Sequence, residues 1–179
     1  MSLLRRSMRS KIVLPRWLFL GSIVFCGAII LFLAIHSLLP IKSQTSKHMS
    51  YHTNIVNDTK GNTDFRRVLF TGQNSQLVVM SIPPGTDVGA ETHKYTEQTL
   101  FFLSGTGEGE LDGKKFPIGP GDVVVVVPGT EHNFWNTGTQ DLKIYTVYAP
   151  PNHIDGRVQA TKAVADADTA DEAVGELKP

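Results

Sequence analysis

Residues that can bind a divalent metal ion are concentrated in two segments of this 179-residue chain. In the first segment, residues 85–105, the order is Gly-x5-Glu-x-His-x4-Gln-x6-Gly. This order places a carboxylate at Glu91, an imidazole at His93 and an amide at Gln98. Carboxylate oxygen, imidazole nitrogen and amide oxygen are all ligands that divalent metals accept. The segment therefore carries three candidate metal ligands.

The second segment, residues 121–136, adds another imidazole at His132. Its order is Gly-x5-Val-Pro-Gly-x2-His-x3-Asn, which ends at Asn136. If the two segments form neighbouring strands of a small barrel, their side chains can point at a single centre. We therefore predict a divalent metal site made of one carboxylate, one amide and two imidazoles. Its ligands would be Glu91, His93, Gln98 and His132.

The alternation of side chains along a strand decides which of these residues can face the same way. Residues two apart share a face, so Glu91 and His93 point together. Gln98 is out of phase with them, which requires a turn or break within residues 94–97 before the next strand begins. We expect Gln98 to face the interior and its neighbour Glu97 to face out.

The elements that position these residues are predicted to be β-strands. Eight short runs are rich in β-branched or aromatic residues and are separated by turn-forming residues. Asp112-Gly113, between two of the runs, is the strongest hairpin signal, and the five valines of residues 123–127 predict a strand covered on both faces. The pattern as a whole predicts an all-β sandwich or barrel. The runs are residues 65–70, 76–82, 99–103, 107–111, 114–118, 122–127, 132–137 and 142–149.

Charge and cysteine content exclude several classes of protein. The formal net charge is zero, but five of the 17 basic residues precede Trp17, so the rest of the chain is acidic by five charges. No basic patch indicates a nucleic-acid partner. Cys26 is the only cysteine, so the chain forms no internal disulfide.

An apolar segment near the N-terminus predicts a membrane anchor. Residues 17–39 contain no Asp, Glu, Lys or Arg, and about 20 apolar residues in a helix span a bilayer. We expect an uncleaved anchor, with a cleaved signal peptide and a buried globular helix as the alternatives. The basic residues before the segment place the N-terminus in the cytoplasm and the folded domain across the membrane. A product that starts at Met49 would instead be a soluble cytoplasmic protein.

The sequence divides into five predicted regions. Residues 1–16 form a basic N-terminal segment and residues 17–39 the transmembrane anchor. Residues 40–62 are a polar linker and lead-in, and residues 63–152 are the β-barrel domain. Residues 153–179 are the C-terminal tail, and residues 161–179, rich in Ala, Asp and Glu, are expected to be solvated and to include a short helix. His153, at its start, is expected at the surface.

The two motifs resemble those of the cupin superfamily. The first cupin motif is Gly-x5-His-x-His-x3,4-Glu-x6-Gly and the second is Gly-x5-Pro-x-Gly-x2-His-x3-Asn. The resemblance covers about residues 65–151, in which His93 matches the second His of the first motif and His132 matches the His of the second. It implies a double-stranded β-helix, which is a jelly-roll barrel, with a metal site inside. All four motif glycines are present: Gly85, Gly105, Gly121 and Gly129.

Three positions depart from the cupin pattern. Glu91 stands where the first His is usual, Gln98 where Glu is usual, and Val127 where Pro is usual. The resemblance implies a site of three His and one Glu, whereas this chain would offer two His, one Glu and one Gln. The site keeps a single negative charge at a different corner. With two nitrogen and two oxygen ligands, iron(II), manganese(II) or zinc is the expected metal.

Two functions from different classes agree with this resemblance. The first is a metal-dependent enzyme, an isomerase or dioxygenase, that acts on a small oxygen-rich molecule. The second is a membrane-tethered, non-catalytic cupin that binds or senses a sugar or another small molecule. The resemblance extends loosely to the mannose-6-phosphate isomerase-like cupins and implies a possible homodimer. However, no basic cluster for a phosphate lies beside the site, and Lys94 is the only cation in the first motif.

Overall fold

The structure is a computed structural model that describes residues 50–177. The predicted anchor, residues 17–39, and the alternative start at Met49 lie outside the described residues. Within residues 50–177, none of the helices has the length and apolar character needed to cross a membrane. The membrane location and the homodimer stay predictions.

Two antiparallel β-sheets form the body of the described residues, which confirms the predicted all-β class. The larger sheet has the strand order β10-β1-β2-β9-β4-β7, and the smaller has the order β3-β8-β5-β6. The strands are β1 (Arg66–Thr71), β2 (Gln76–Ile82), β3 (Glu91–Thr92), β4 (Glu97–Ser104), β5 (Gly107–Leu111), β6 (Lys114–Ile118), β7 (Val123–Val126), β8 (Glu131–Asn136), β9 (Leu142–Ala149) and β10 (Val158–Gln159). The helices are α1 (Ile55–Gly61), α2 (Lys162–Asp166) and α3 (Thr169–Gly175).

The inner faces of the sheets supply the hydrophobic core. Met80 from β2, Leu100 from β4, Ile144 from β9 and Phe134 from β8 are all fully buried. Buried residues alternate with more exposed ones along β4 and β9, whereas almost all of β2 is buried. Burial of this apolar surface is the main source of stability, and it holds the strands that carry the candidate ligands.

The predicted hairpin at Asp112-Gly113 is confirmed. Leu111 of β5 pairs with Lys114 of β6, and the two residues between them have φ angles of 47° and 78°. Positive φ at both central positions is the requirement of a two-residue type I′ turn, which Asp-Gly meets at little cost. Four predicted strands also have the observed bounds: β2, β5, β6 and β9.

The prediction that the valine strand is covered on both faces was wrong. Val124 and Val126 are buried, but Val123, Val125 and Val127 are 50–54% exposed. β7 pairs only with β4 and so lies at the edge of the larger sheet. A continuous apolar run does not distinguish a doubly covered strand from an edge strand whose outer face is also apolar.

The C-terminal tail packs against the barrel more closely than expected, although most of residues 161–177 are exposed or half-exposed. Val158 of β10 pairs with Arg67 of β1, and Gln159 and Asp171 are almost fully buried. His153, which was expected at the surface, is only 6% exposed. Sequence patterns missed this packing because the segment docks through buried polar contacts and has no large apolar stripe. We call residues 150–177 the C-terminal strap.

Both helices of the strap begin at side-chain caps. The hydroxyl of Thr161 accepts a hydrogen bond from the backbone N–H of Val164 at the start of α2. The carboxylate of Asp168 accepts one from the N–H of Asp171 at the start of α3. Such N-caps satisfy backbone donors that a helix leaves free at its first turn, and they fix where each helix begins.

Candidate metal centre

Three of the four predicted ligands converge at one end of the smaller sheet. Glu91, His93 and His132 each offer a ligand atom, and these atoms all lie within 4.8 Å of one another. Glu91 of β3 pairs directly with His132 of β8, which puts their side chains on the same face. His93 lies two residues beyond Glu91 and shares that face, as the alternation predicted.

The tautomer of His132 is set by the backbone. Its Nδ1 lies 2.9 Å from the carbonyl oxygen of Thr130, which accepts a hydrogen bond from an Nδ1–H. Nε2 is then left with its lone pair, the form that binds a metal ion. His132 is buried, and its Nε2 has no hydrogen-bond partner.

His93 is held by the turn of the second motif. Its carbonyl oxygen accepts a hydrogen bond of 2.9 Å from the N–H of Gly129, and its ring lies 5.1 Å from the ring of His132. Burial lowers the pKa of His93 to about 4, against the opposing attraction of Glu91. At neutral pH the imidazole is therefore uncharged and able to donate a lone pair.

Glu91 is kept ionised by a buried arginine. Nη2 of Arg66 donates to Oε1 of Glu91 at 3.0 Å. Burial raises the pKa of Glu91, but the attraction of Arg66, together with smaller contributions from the neighbouring histidines, outweighs burial, and the pKa falls below its usual value. The other oxygen, Oε2, lies 3.5 Å from Nε2 of His93 and has no hydrogen-bond partner. Glu91 thus presents one held oxygen and one free oxygen.

Gln98 is placed differently from the other three predicted ligands. Gln98 is buried and faces the interior, as predicted, and Leu100, two residues along β4, is buried on the same face. Glu97 is exposed. The Gln98 amide nitrogen donates to the hydroxyl of Tyr148 at 2.9 Å, and the Tyr148 ring lies 5.7 Å from that of His93. The amide oxygen has no partner. Gln98 is joined to the cluster through Tyr148, and its role as a ligand stays a prediction.

The pattern of unpaired atoms fits a bound cation. Each predicted ligand carries one buried nitrogen or oxygen without a hydrogen-bond partner among residues 50–177: Glu91 Oε2, His93 Nε2, Gln98 Oε1 and His132 Nε2. Leaving such an atom unpaired costs about 1–3 kcal/mol, so four together are costly unless something binds them. All four are lone-pair donors, and a divalent metal ion would satisfy them.

The cluster opens into a cavity of about 480 Å³. Glu91, His93 and Arg66 line it from the barrel, and the strap lines it with side chains that include Asn152 and His153. The sequence did not identify three of these residues as part of the site: Arg66, Asn152 and His153. The alternation on β1 carried a signal for Arg66, because it is in phase with buried Val68 while Arg67 is exposed. The strap residues gave no periodic signal.

Asn152 contacts His93 from the strap. Its Nδ2 lies 3.4 Å from His93 Nδ1, and its Oδ1 has no partner. A half-turn of the amide would present Oδ1 to an Nδ1–H and leave Nε2 of His93 free for metal. The amide is held against α3, since a Cβ on Gly175 would lie 3.0 Å from Oδ1.

We expect Asn152→Ala to weaken metal binding by about 10–100-fold, the usual effect of losing an outer partner of a ligand histidine. Asn152→Asp keeps an acceptor oxygen beside Nδ1 and should retain most of the affinity. Competition with a chelator of known affinity measures both variants. Equal affinity in Asn152→Ala and the unchanged protein would contradict this role.

Comparison with known proteins places these observations in a family. Residues 78–148 match the family described as Cupin domain. The chain is 42% identical over 120 residues to the uncharacterized protein YrkC of Bacillus subtilis, covering 64% of each chain, which is less than two thirds of that protein. It is 37% identical over 68 residues to an oxalate-binding protein of Thermotoga maritima, covering 38% of this chain and 56% of that one. A crystal structure from Bacillus halodurans is 36% identical with a TM-score of 0.66, covering 68% of this chain and 97% of that one.

Proposed function

Because this chain belongs to the cupin superfamily, we propose that it is a metal-dependent enzyme acting on a small oxygen-rich molecule. The observation that carries the proposal is the convergence of Glu91, His93 and His132 within 4.8 Å, each with an unpaired buried ligand atom. Gln98 is proposed as the fourth ligand, with its free amide oxygen. The reaction is of the isomerase or dioxygenase type.

The donor set favours particular metals. Two imidazole nitrogens, one carboxylate oxygen and one amide oxygen suit iron(II), manganese(II) or zinc better than softer sites do. When bound, such an ion supplies Lewis acidity to a carbonyl or hydroxyl oxygen, or a site for dioxygen. The protein's own contribution is to hold the ligands. Arg66 fixes one oxygen of Glu91, and the Thr130 carbonyl fixes the ring of His132.

The cavity limits the size of the substrate. At about 480 Å³ it lies in the lower part of the range of ligand pockets, about 300–1,000 Å³. Its lining combines the carboxylate of Glu91, the imidazole of His93 and the amide of Asn152, which can hydrogen-bond to hydroxyl and carbonyl groups. A small molecule rich in oxygen fits this lining.

The alternative is a binding protein without catalysis. One relative is named an oxalate-binding protein, and its similarity to this chain favours small-molecule binding in general. Binding and catalysis use the same cluster and the same cavity, so the distinction between them lies in turnover. Isothermal titration with oxalate, with and without metal, combined with analysis of the recovered ligand, separates the two. Recovery of unchanged ligand from a tight complex would favour the alternative.

The primary test is the metal content of the purified full-length chain. We expect about one iron, manganese or zinc ion per chain by elemental analysis, as one four-ligand site requires. His93→Ala should lose most of it, whereas His52→Ala, at an exposed histidine outside the barrel, should not. Substoichiometric metal that is the same in both variants would refute the proposal.

A further inference from the structure

The C-terminal strap brings another histidine to the cavity, and this histidine lies outside the group of candidate metal ligands. His153 lines the cavity together with Glu91 and His93. In residues 50–177, the group of metal-capable side chains within 4.8 Å of one another consists of Glu91, His93 and His132, and His153 is not among them. A buried histidine that lies beside the candidate metal ligands, but is not one of them, is expected to have a role other than metal binding.

His153 is oriented by a buried carboxylate. Its Nδ1 lies 2.8 Å from Oδ2 of Asp171 on α3. Asp171 is 2% exposed, and its Oδ1 accepts a hydrogen bond of 2.7 Å from the N–H of Ile154. Burial raises the pKa of Asp171, but the hydrogen bonds from His153 and Ile154, together with the attraction of His153 and Arg66, outweigh burial and the pKa falls. The carboxylate therefore stays ionised and accepts a hydrogen bond from the Nδ1–H of His153.

The backbone and the ring of His153 are fixed as well. The buried side chain of Gln76 accepts a hydrogen bond of 2.9 Å from the N–H of His153 and donates one of 2.8 Å to its carbonyl oxygen. The imidazole packs edge-on against Tyr148, with ring centroids 4.9 Å apart. The ring thus has a single supported orientation, as a catalytic group requires.

The remaining ring nitrogen of His153 is free. Because Nδ1–H donates a hydrogen bond to Asp171, the lone pair of the ring is on Nε2. Nε2 is buried and has no hydrogen-bond partner. Burial lowers the pKa of His153 in spite of Asp171, so the imidazole is neutral at neutral pH. An imidazole with a carboxylate behind one nitrogen and a free lone pair on the other is the arrangement of a general base.

We propose that His153, oriented by Asp171, is the general base of this site and removes a carbon-bound proton from a neutral hydroxy-carbonyl substrate. The proposal rests on the proposed function, because the substrate would lie in the cavity beside the candidate metal ligands. It assigns the reaction to the isomerase class. Neither His153 nor Asp171 falls within the residues that match the Cupin domain family.

The proton transfer balances without another reactant. The C–H bond next to the carbonyl breaks, its electron pair stays on the substrate as an enediolate, and an N–H bond forms at Nε2 of His153. Asp171 stabilises the resulting imidazolium. When the proton returns to the neighbouring carbon, the hydroxyl proton of the carbon from which it came passes to the former carbonyl oxygen and the product is the isomer; return to the same carbon restores the substrate. No oxidant or reductant takes part.

The charge of the cavity selects a neutral substrate. The lining carries more carboxylates than cations, and a bound divalent ion leaves the balance negative. Anionic compounds such as oxalate or a sugar phosphate are therefore disfavoured relative to uncharged ones. The lining carboxylates are Glu91, Asp166, Asp168, Asp171, Glu172 and Glu176, and the lining cations are Arg66 and Lys162.

The test is hydrogen exchange in D2O with the full-length, metal-loaded chain. Dihydroxyacetone and D-glyceraldehyde are the neutral probes, glyceraldehyde 3-phosphate is the anionic one, and proton NMR follows loss of the carbon-bound hydrogen signal. We expect exchange into the neutral probes, lowered by more than about 100-fold in His153→Gln and by at least about 10-fold in Asp171→Asn. His52→Gln should match the unchanged protein.

Three outcomes would overturn the proposal. Exchange that persists in His153→Gln removes the base, and absence of exchange in chain that carries stoichiometric metal removes the reaction. Loss of metal together with exchange in His153→Gln would show that His153 only supports the cluster. Failure of the proposed function is seen separately, as a chain without metal. Exchange by such a chain that still depends on His153 would support the base alone.

Discussion

Replacing His132 with alanine is expected to lower metal affinity by more than about 100-fold, beyond the 10–100-fold effect of losing an outer partner. His132 is 2% exposed, and Thr130 holds its ring with Nε2 directed to the cluster and unpaired. The substitution removes one of the two imidazoles. Water cannot take the place of that imidazole as a ligand unless the buried site rearranges. Competition with a chelator measures the change.

Thermal unfolding supplies an independent measure of the same loss. A metal that binds only the folded chain stabilises it by about 2.7 kcal/mol when its free concentration is 100 times Kd. A chelator should therefore lower the Tm of the unchanged protein and of His52→Ala, but leave the Tm of His132→Ala almost unaltered. If the chelator lowered the Tm of His132→Ala as much as that of the unchanged protein, His132 would not be a ligand.

Replacing Arg66 with alanine is expected to destabilise the metal-free protein by about 3 kcal/mol, because it leaves a buried carboxylate without its counter-charge. The Arg66 side chain is 8% exposed and that of Glu91 is 25% exposed, with 3.0 Å between them. Arg66 also donates to the side chain of Gln159 in the strap, so its loss loosens two contacts. Urea unfolding in the presence of a chelator measures the free energy.

The next residue on the same strand provides a matched control. Arg67 pairs with Asp64 at 2.8 Å, but its side chain is 48% exposed, so Arg67→Ala should cost less than about 1 kcal/mol. Adding Glu91→Gln to Arg66→Ala removes the orphaned charge and should recover part of the stability. Bound metal should also reduce the cost, since the cation replaces the lost positive charge. Equal costs at positions 66 and 67 would contradict this account.

The parts of the site that follow a strand period were predictable from the sequence. The alternation of side chains placed Glu91 and His93 on one face and turned Gln98 inward, and the structure agrees. The same rule places Arg66 inside with Val68, although a charged residue seldom faces a protein interior. The period-two pattern works because one face of each sheet must be buried.

The parts supplied by the strap were not predictable in this way. His153 and Asp171 meet across 18 residues, and Asn152 reaches His93 across 59. Their docking rests on individual hydrogen bonds between buried polar groups, which leave no periodic trace. The prediction for the valine strand was wrong for a related reason. Apolar composition alone does not show whether a strand lies at the edge of a sheet.

The C-terminal strap gives this site two separately variable parts. The cluster of Glu91, His93 and His132 belongs to the barrel, where Glu91 of β3 pairs with His132 of β8. The opposite wall of the cavity belongs to two short capped helices outside the family match, residues 78–148. Substitutions in the strap, apart from those at Asn152, can therefore alter substrate preference without disturbing the metal ligands.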